Sequence, residues 1–454
     1  MSSYRIGMDA GLHPPISSMV PAAALQECLS DTEIEAICDE LGHVWRNRKL
    51  PPATMVRSMV YRSLHHDRSI AAVLADLAAE AELGQEVATD SAWCQARSNL
   101  PLGLWPELIL CSALRLMNAV GDDYTYNGRP VYLFDGTTLS MPDEPDLVEA
   151  FGYTDSKHGR SRFPVARVSI LLRWGVWAVV DHRMDEYRCS EDEQLHDMWH
   201  NLPDGCLCIM DEYFSGFHNL AKLSQRSIGV ITPLHHRRDP WKLIHEGRRL
   251  GRNHWRVWLD LDGQLRKKYD DPTLPECLAV RLIRVPLPKG AKKPELWVVT
   301  TLLDERRYPR KDIERWFRRR WPVETRIGSL KTTLQMNVLR SKTAVGVRSE
   351  VAATILTHNL VWTVIHQAAV RHRRRAERIS FACAVKLILA FSDPIRRANG
   401  TARRQLYQRM LRLIAGQTNR DRPNRVEPRM IKRETAHFAY LREPRWKARL
   451  KCLT

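Results

Sequence analysis

Three carboxylates and two cations carry the chemistry this sequence is equipped for. Asp135 follows the buried run Val131–Phe134, in Phe134-Asp135-Gly136-Thr137-Thr138, and Asp211 follows Cys206–Met210, in Met210-Asp211-Glu212-Tyr213. Each is read as standing at the C-terminal end of a strand, where side chains reach the rim of an open sheet. Further on lies Phe317-Arg318-Arg319-Arg320-Trp321-Pro322-Val323-Glu324, followed by Lys331. Glu324 and Lys331 are seven residues apart, two helical turns, and are expected on one exposed face. Val323, Ile327, Leu330 and Leu334 mark the opposite, core-packed face. Pro322 suits the first turn of this helix, which leaves Arg320 to a preceding one. Oxygen ligands suit hard divalent cations, and two such ions roughly 3.5–4 Å apart clamp the attacking and leaving oxygens of a phosphodiester. An aspartate after a strand is commonly a turn or cap residue, and a charged helix is commonly a surface helix. The weight therefore falls on the elements that position the set.

Those elements follow a recognisable order. Val131–Phe134, Val165–Leu172 and Val176–Val180 read as strands, the last two forming a hairpin around Arg173-Trp174-Gly175. A helix capped by Ser190 and running to Leu202, the strand Cys206–Met210, a helix over Ser215–Gln225 and the strand Ile228–Thr232 complete the series. Three strands, helix, strand, helix, strand is the ribonuclease H-like layout, an α/β fold with a mixed sheet flanked by helices. The two aspartates fall on its first and fourth strands. Residues 235–303 look β-rich, with strands at Trp255–Leu259, Cys277–Val285 and Leu296–Leu303, and helical pattern returns from about Pro309. Before the core, residues 20–120 read as helical, with Leu25, Leu29, Ile34, Ile37 and Leu41 at helical spacing and Ser69 as a cap. The expected units are a helical N-terminal domain (1–125), a catalytic core in two parts (126–234 and 304–370) split by a β-rich insertion (235–303), and a basic helical C-terminal region (371–454).

Charge is distributed unevenly. The 454 residues carry a formal net charge of +18, yet residues 301–454 hold 36 basic and 12 acidic side chains, and the first 300 hold 34 and 40. Clusters at Arg318–Arg320, Arg371–Arg375, Arg403–Arg404, Lys432–Arg433 and Arg442–Lys451 form an electrostatic footprint for a polyanion, most commonly nucleic acid. Residues 1–150, with 10 basic and 21 acidic side chains, have no such footprint. Ten cysteines without a CxxC pair indicate neither a disulfide scaffold nor a structural zinc, and suit a reducing cytoplasm. No secretory leader pattern opens the sequence. Val351–Val370 is apolar enough to suggest a membrane span, but His358, Asn359, His366 and Gln367 point to a buried core helix. His196 and His200, four apart, lack the glutamate of a zinc-protease helix and are read as incidental.

Several of these segments resemble the insertion-sequence 4 transposases. Asp135-Gly136-Thr137, Asp211 with Phe214-Ser215-Gly216-Phe217, and Trp297-Val298-Val299-Thr300-Thr301-Leu302-Leu303-Asp304 are similar to segments of that family. So are Arg46 to Pro52 and Asp67-Arg68-Ser69-Ile70 in the helical part. The most specific match is the Tyr-x2-Arg-x3-Glu-x6-Lys signature, on which Arg320, Glu324 and Lys331 fall. Phe317 takes the tyrosine position, keeping the ring and losing the hydroxyl.

The resemblance implies a DDE mechanism: metal-dependent DNA strand cleavage and strand transfer at transposon ends, cut-and-paste through a hairpin. Asp135, Asp211 and Glu324 would hold two Mg²⁺ ions, for which Mn²⁺ can substitute. Arg320 and Lys331 would contact phosphates, with Phe317, Arg318 and Arg319 also against DNA. A tryptophan of the insertion would receive a flipped base, with Trp297, Trp255 and Trp258 as candidates. The expected partners are terminal inverted repeats, target DNA and a second copy of the chain in a synaptic complex. The expected setting is the bacterial cytoplasm, at the nucleoid, with no membrane. Two alternatives stay open: a metal-dependent nuclease on the same scaffold, and an inactive, transposase-derived DNA-binding protein.

Overall fold

The computed structural model describes residues 30–45, 50–65, 69–80, 88–156, 159–287, 295–320, 322–419 and 451. Arg46–Lys49, Asp67-Arg68, Trp321, Lys432–Arg433 and all of the Arg442–Lys451 cluster except Lys451 lie outside the described residues.

Among the described residues five helices come first: α1 (Asp31–Glu40), α2 (Pro52–Leu64), α3 (Ile70–Glu80), α4 (Asp90–Asn99) and α5 (Leu104–Val120). Ser30 and Glu33 form a reciprocal capping box on α1, and Ser69 Oγ accepts from Ala72 N at the start of α3. The strands of the core are β1 (Thr125–Tyr126), β2 (Arg129–Ser140), β5 (Val165–Arg173), β6 (Val179–Glu186), β7 (Leu207–Ile209) and β8 (Gly229–Pro233). α6 (Pro145–Phe151) and the two-residue strands β3 (Asp155–Ser156) and β4 (Gly159–Arg160) lie between β2 and β5. Helix α7 (Glu191–Met198), with the expected Ser190 cap, and α8 (Phe217–Gln225) connect β6, β7 and β8. The spatial order β6-β5-β2-β7-β8 has β5 antiparallel to both neighbours and β2, β7 and β8 parallel. That is the ribonuclease H-like sheet.

The insertion contributes α9 (Pro240–His245), β9 (Arg248–Gly251), β10 (His254–Asp260), α10 (Gly263–Tyr269), β11 (Cys277–Pro286) and β12 (Glu295–Thr300). Its strands extend the same sheet: β12 pairs antiparallel with β8, through Val298↔Pro233, Val299↔Thr232 and Thr300↔Ile231, and the order continues β11-β10-β9. The far side of the insertion is tied down as well. Tyr269 stacks on His218 of α8 at 3.9 Å, and Lys222 Nζ lies 2.8 Å from Asp271.

Helices α11 (Arg310–Arg318), α12 (Pro322–Gly328), α13 (Ala344–Arg371), α14 (Phe381–Arg397) and α15 (Gly400–Gly416) follow. The apolar run Val351–Val370, read as a buried core helix, lies in α13, a 28-residue helix buried along most of its length. Its polar residues have internal partners. Asn359 accepts from Val179 N (2.8 Å) and donates to Val179 O (2.9 Å), Ser112 Oγ (3.0 Å) and Ile109 O (3.3 Å). One side chain thus joins α13, α5 and the sheet. No single described helix is long and apolar enough to cross a membrane, and α4 with α5 reaches that length only across an 80° bend. The described cysteines are free thiols.

Candidate active site

Asp135 is not the last residue of its strand. β2 continues to Ser140, because Asp135 through Ser140 keep antiparallel register with Ile170 through Val165. What ends is the parallel ladder to β7, whose last pair is Leu133↔Ile209. Asp135 therefore stands two residues beyond its parallel neighbour's last pairing, and Asp211 stands two residues beyond Ile209. The two aspartates share one end of two adjacent parallel strands. The strand-end reading holds on the β7 side and fails on the β5 side.

Both carboxylates accept from the next backbone amide: Asp135 Oδ1 from Gly136 N at 2.9 Å, and Asp211 Oδ1 from Glu212 N at 2.8 Å. Burial pushes Asp135 up to about 6. The Gly136 amide and Arg320 oppose that shift, while Asp211 and Glu191 add to it. Glu191, the first residue of α7, lies so close that a Cβ on Gly136 would sit 2.9 Å from its carboxyl group. Arg167 Nη1 holds Glu191 at 3.0 Å. Nothing in the local sequence pattern marked Glu191; the pairing of β2 with β5 and the docking of α7 bring it there.

Arg320 gathers the set. It lies in the turn after α11 rather than inside a helix, and its side chain is only 13% exposed. Its Nη2 is 3.9 Å from Asp211 Oδ1 and 3.7 Å from Glu324 Oε1, whose side chains are 50% and 46% exposed. As expected, α12 begins at Pro322 and buries Val323 and Ile327, with Leu330 buried just beyond it. It does not continue as α-helix to Lys331. Ser329–Thr333 is a π-helical turn, which rotates Lys331 away from the straight two-turn alignment with Glu324. Lys331 Nζ reaches β2 instead, donating to Thr137 Oγ1 (3.0 Å) and Thr138 O (3.2 Å), next to Asp135.

The other nominated residues separate. Phe317 packs against the core, and Arg318 is exposed at the end of α11. Arg319 lies over two rings, its Cζ 5.1 Å from the Trp174 centroid and 4.6 Å from that of Trp316. Trp297 is 9% exposed, with Trp241 and Trp255 against it at 5.5 and 5.6 Å. The accessible member of this cluster is Trp241, 54% exposed with Arg284 over its ring at 5.4 Å, and the sequence reading passed it by. Its place after Pro240 at a helix start gave no strand pattern to single it out. Trp258 is exposed elsewhere on β10. His196 Nε2 meets Asn219 and His200 Nε2 meets Asn201, so the two histidines have separate partners.

The donor set fits a hard divalent cation in type, being all carboxylate oxygen, and a cation beside Asp135 would relieve the cost of its buried charge. Among the described residues no three His, Cys, Asp or Glu side chains already close around one point; the Arg320 guanidinium is the positive charge among them.

The model of the family described as "Transposase DDE domain" matches residues 126–360. The chain belongs to the DDE transposases. InsZ, a putative transposase of Escherichia coli (strain K12), is 26% identical over 228 residues, covering 48% of this chain and 71% of its own length. The transposase InsG for insertion sequence element IS4, from the same strain, is 24% identical over 346 residues, covering 75% of this chain and 76% of its own. This chain is thus a DNA-cleaving and DNA-joining enzyme of a family that works with divalent metal ions. A solved piggyBac transposase synaptic complex with hairpin DNA is similar at a TM-score of 0.45 and 9% identity, over 90% of this chain and 88% of that one.

Proposed function

We propose that Asp135, Asp211 and Glu324 are the catalytic and metal-holding carboxylates of this transposase. The observation that carries the reading is Arg320, one largely buried guanidinium within 4 Å of both Asp211 and Glu324 and felt electrostatically by Asp135. A cluster of carboxylates held around positive charge at the end of parallel strands is an arrangement for a polyanionic substrate and its counterions. The ions are two Mg²⁺, with Mn²⁺ able to replace them; when bound they supply a nucleophile at neutral pH and neutralise charge on the phosphate undergoing attack.

The chain's own residues do the rest. Arg320 holds a non-bridging phosphate oxygen beside the cut, a task suited to a planar guanidinium. Lys331, fixed over Thr137 and Thr138, adds a point charge on the β2 side. Phe317 supports the turn from below, and Arg318, the exposed member of the triplet, contacts the backbone of the DNA. Arg319 contributes through the edge-to-face Trp174–Trp316 pair on which it lies. Trp241, with Trp297 and Trp255 behind it, is the ring that a base turned out of the duplex would reach. The substrates are the terminal inverted repeats of the encoding element and a target DNA, cut and pasted through a hairpin by a homodimer in a synaptic complex.

The test is cleavage of a plasmid carrying the element's own ends, with Mg²⁺, following 3′-hydroxyl ends into a second plasmid. Wild type is expected to cut and join; Glu324→Gln is expected to lose both, by at least about 10³-fold, while DNA binding changes by less than about threefold. Cutting without joining would make this a nuclease, and binding without cutting an inactive descendant.

A further inference from the structure

The helix that carries Glu324 is short. α12 has seven residues and passes directly into a π-helical turn. A segment of that length has almost no helical stability of its own, so the side chains it buries must determine its seat. Three are apolar: Val323 and Ile327 on the helix and Leu330 on the π turn that continues it. The fourth is Arg326, which is 7% exposed.

Arg326 is an unusual choice for a core position. Its buried Nε has no hydrogen-bond partner. Its guanidinium lies in the notch between two indoles inclined by 44°, with Cζ 4.5 Å from the Trp177 centroid and 4.7 Å from that of Trp362. Neither ring is loosely held. Trp362 Nε1 donates to His358 Nε2 at 3.1 Å. Trp177 has φ 64°, a left-handed backbone that bulky residues rarely adopt, and His366 Nε2 donates to Val176 O beside it at 3.0 Å. A leucine or methionine would fill similar volume without desolvating a charge, so packing alone gives no reason for arginine here. What arginine adds is direction. A planar cation over two fixed ring faces resists both rotation and sliding of the helix that bears it.

We infer that Arg326, seated on Trp177 and Trp362, is a positioning residue that sets the rotation and depth of α12 and thereby places the Glu324 carboxylate. This rests on the reading of Glu324 as a catalytic carboxylate. Residues 324 and 326 point to nearly opposite sides of the helix. Turning a helix about 10–12 Å across by about 20° carries a side-chain tip about 2 Å. Misplacement by about 1 Å can cost about 10²-fold in rate.

The test compares wild type, Arg326→Met, Arg326→Lys and Glu324→Gln in three measurements: thermal midpoint, kcat and KM for cleavage of the element-end plasmid, and binding of Mn²⁺ alone by electron paramagnetic resonance. For Arg326→Met the expected result is a folded protein with KM for DNA within about threefold, kcat lower by about 10²-fold, and Mn²⁺ binding about tenfold weaker. Arg326→Lys should recover part of both losses. A folded Arg326→Met variant with wild-type kcat and Mn²⁺ binding would overturn the inference. Should Arg326→Met not fold, Trp362→Phe, which keeps the arginine and shrinks one wall of the notch, is expected to lower kcat and Mn²⁺ affinity together; unchanged values in that variant would also overturn it. Glu324→Gln separates the two claims. Wild-type cleavage in that variant removes the catalytic reading itself, whereas its failure beside an active Arg326→Met removes only the positioning role.

Discussion

Asp135 is ionised at a cost in the absence of a cation. Burial raises its pKa from 3.8 to about 6, so its contribution to stability is present below 3.8 and is lost as pH rises through 6. Asp135→Asn, measured without metal at pH 8, should therefore be more stable than wild type by about 1–3 kcal/mol in urea unfolding. An equal or lower midpoint would contradict this. The same residue shows what was legible in the sequence. Asp135, Asp211 and Glu324 could be picked out because each follows or opens a strongly patterned element. Glu191 and Arg326 could not. Glu191 reaches the site through sheet pairing, and Arg326, although at core-facing spacing from Val323 and Leu330, is of a residue type ordinarily turned to solvent.

The core elements were legible because hydrophobic period and capping residues agree. Ser190, Ser69 and the paired runs 131–134 and 206–210 all fell where strands and helices form. Three departures have physical causes. β2 outruns its apolar stretch, since Gly136, Thr137 and Thr138 stay paired with β5 without being apolar. The second arm of the hairpin begins at Val179 rather than Val176, the tight connection using Trp177 in a left-handed conformation. The π-helical turn at Ser329–Thr333 leaves no mark on the apolar spacing of Val323, Ile327, Leu330 and Leu334, so a straight α-helix, with Lys331 aligned with Glu324, is the reading that spacing gives. Within α13, Asn359 makes four hydrogen bonds that join three elements. Asn359→Ala would leave Val179 N–H buried without that partner and should cost about 2–4 kcal/mol, read as a lower urea midpoint. A change below about 0.5 kcal/mol would mean that the contact is dispensable.

Across the whole molecule, the sheet is larger than the chain order of its first five strands implies. Alternation in 235–303 revealed strands there, but no local pattern records that β12 pairs with β8, because register is a long-range property. The result is one sheet that carries Asp135 and Asp211 at one strand end and Trp255 and Trp297 on the strands of its extension. Several histidines of this assembly are held neutral: His182, His254 and His366 are lowered to about 4 and His358 to about 3, and His218 is lowered too, all mainly by burial. A depressed pKa contributes stability that is present above 6.5 and lost as pH falls toward those values, by up to about 1.4 kcal/mol per pH unit for each group. Asp135 and Asp181 titrate in the opposite sense but are fewer. The urea midpoint should accordingly fall between pH 7.5 and pH 5, and a flat or rising profile would contradict the burial of neutral imidazoles. The central claim is that three carboxylates, contributed by two strands and one short helix, act as one site. The most direct measurement compares Asp135→Asn, Asp211→Asn and Glu324→Gln singly for cleavage and for binding of the same element-end DNA. All three are expected to lose cleavage to a common background while retaining binding within about threefold, because members of one catalytic unit are strongly non-additive; normal cutting by any one of them would contradict the account.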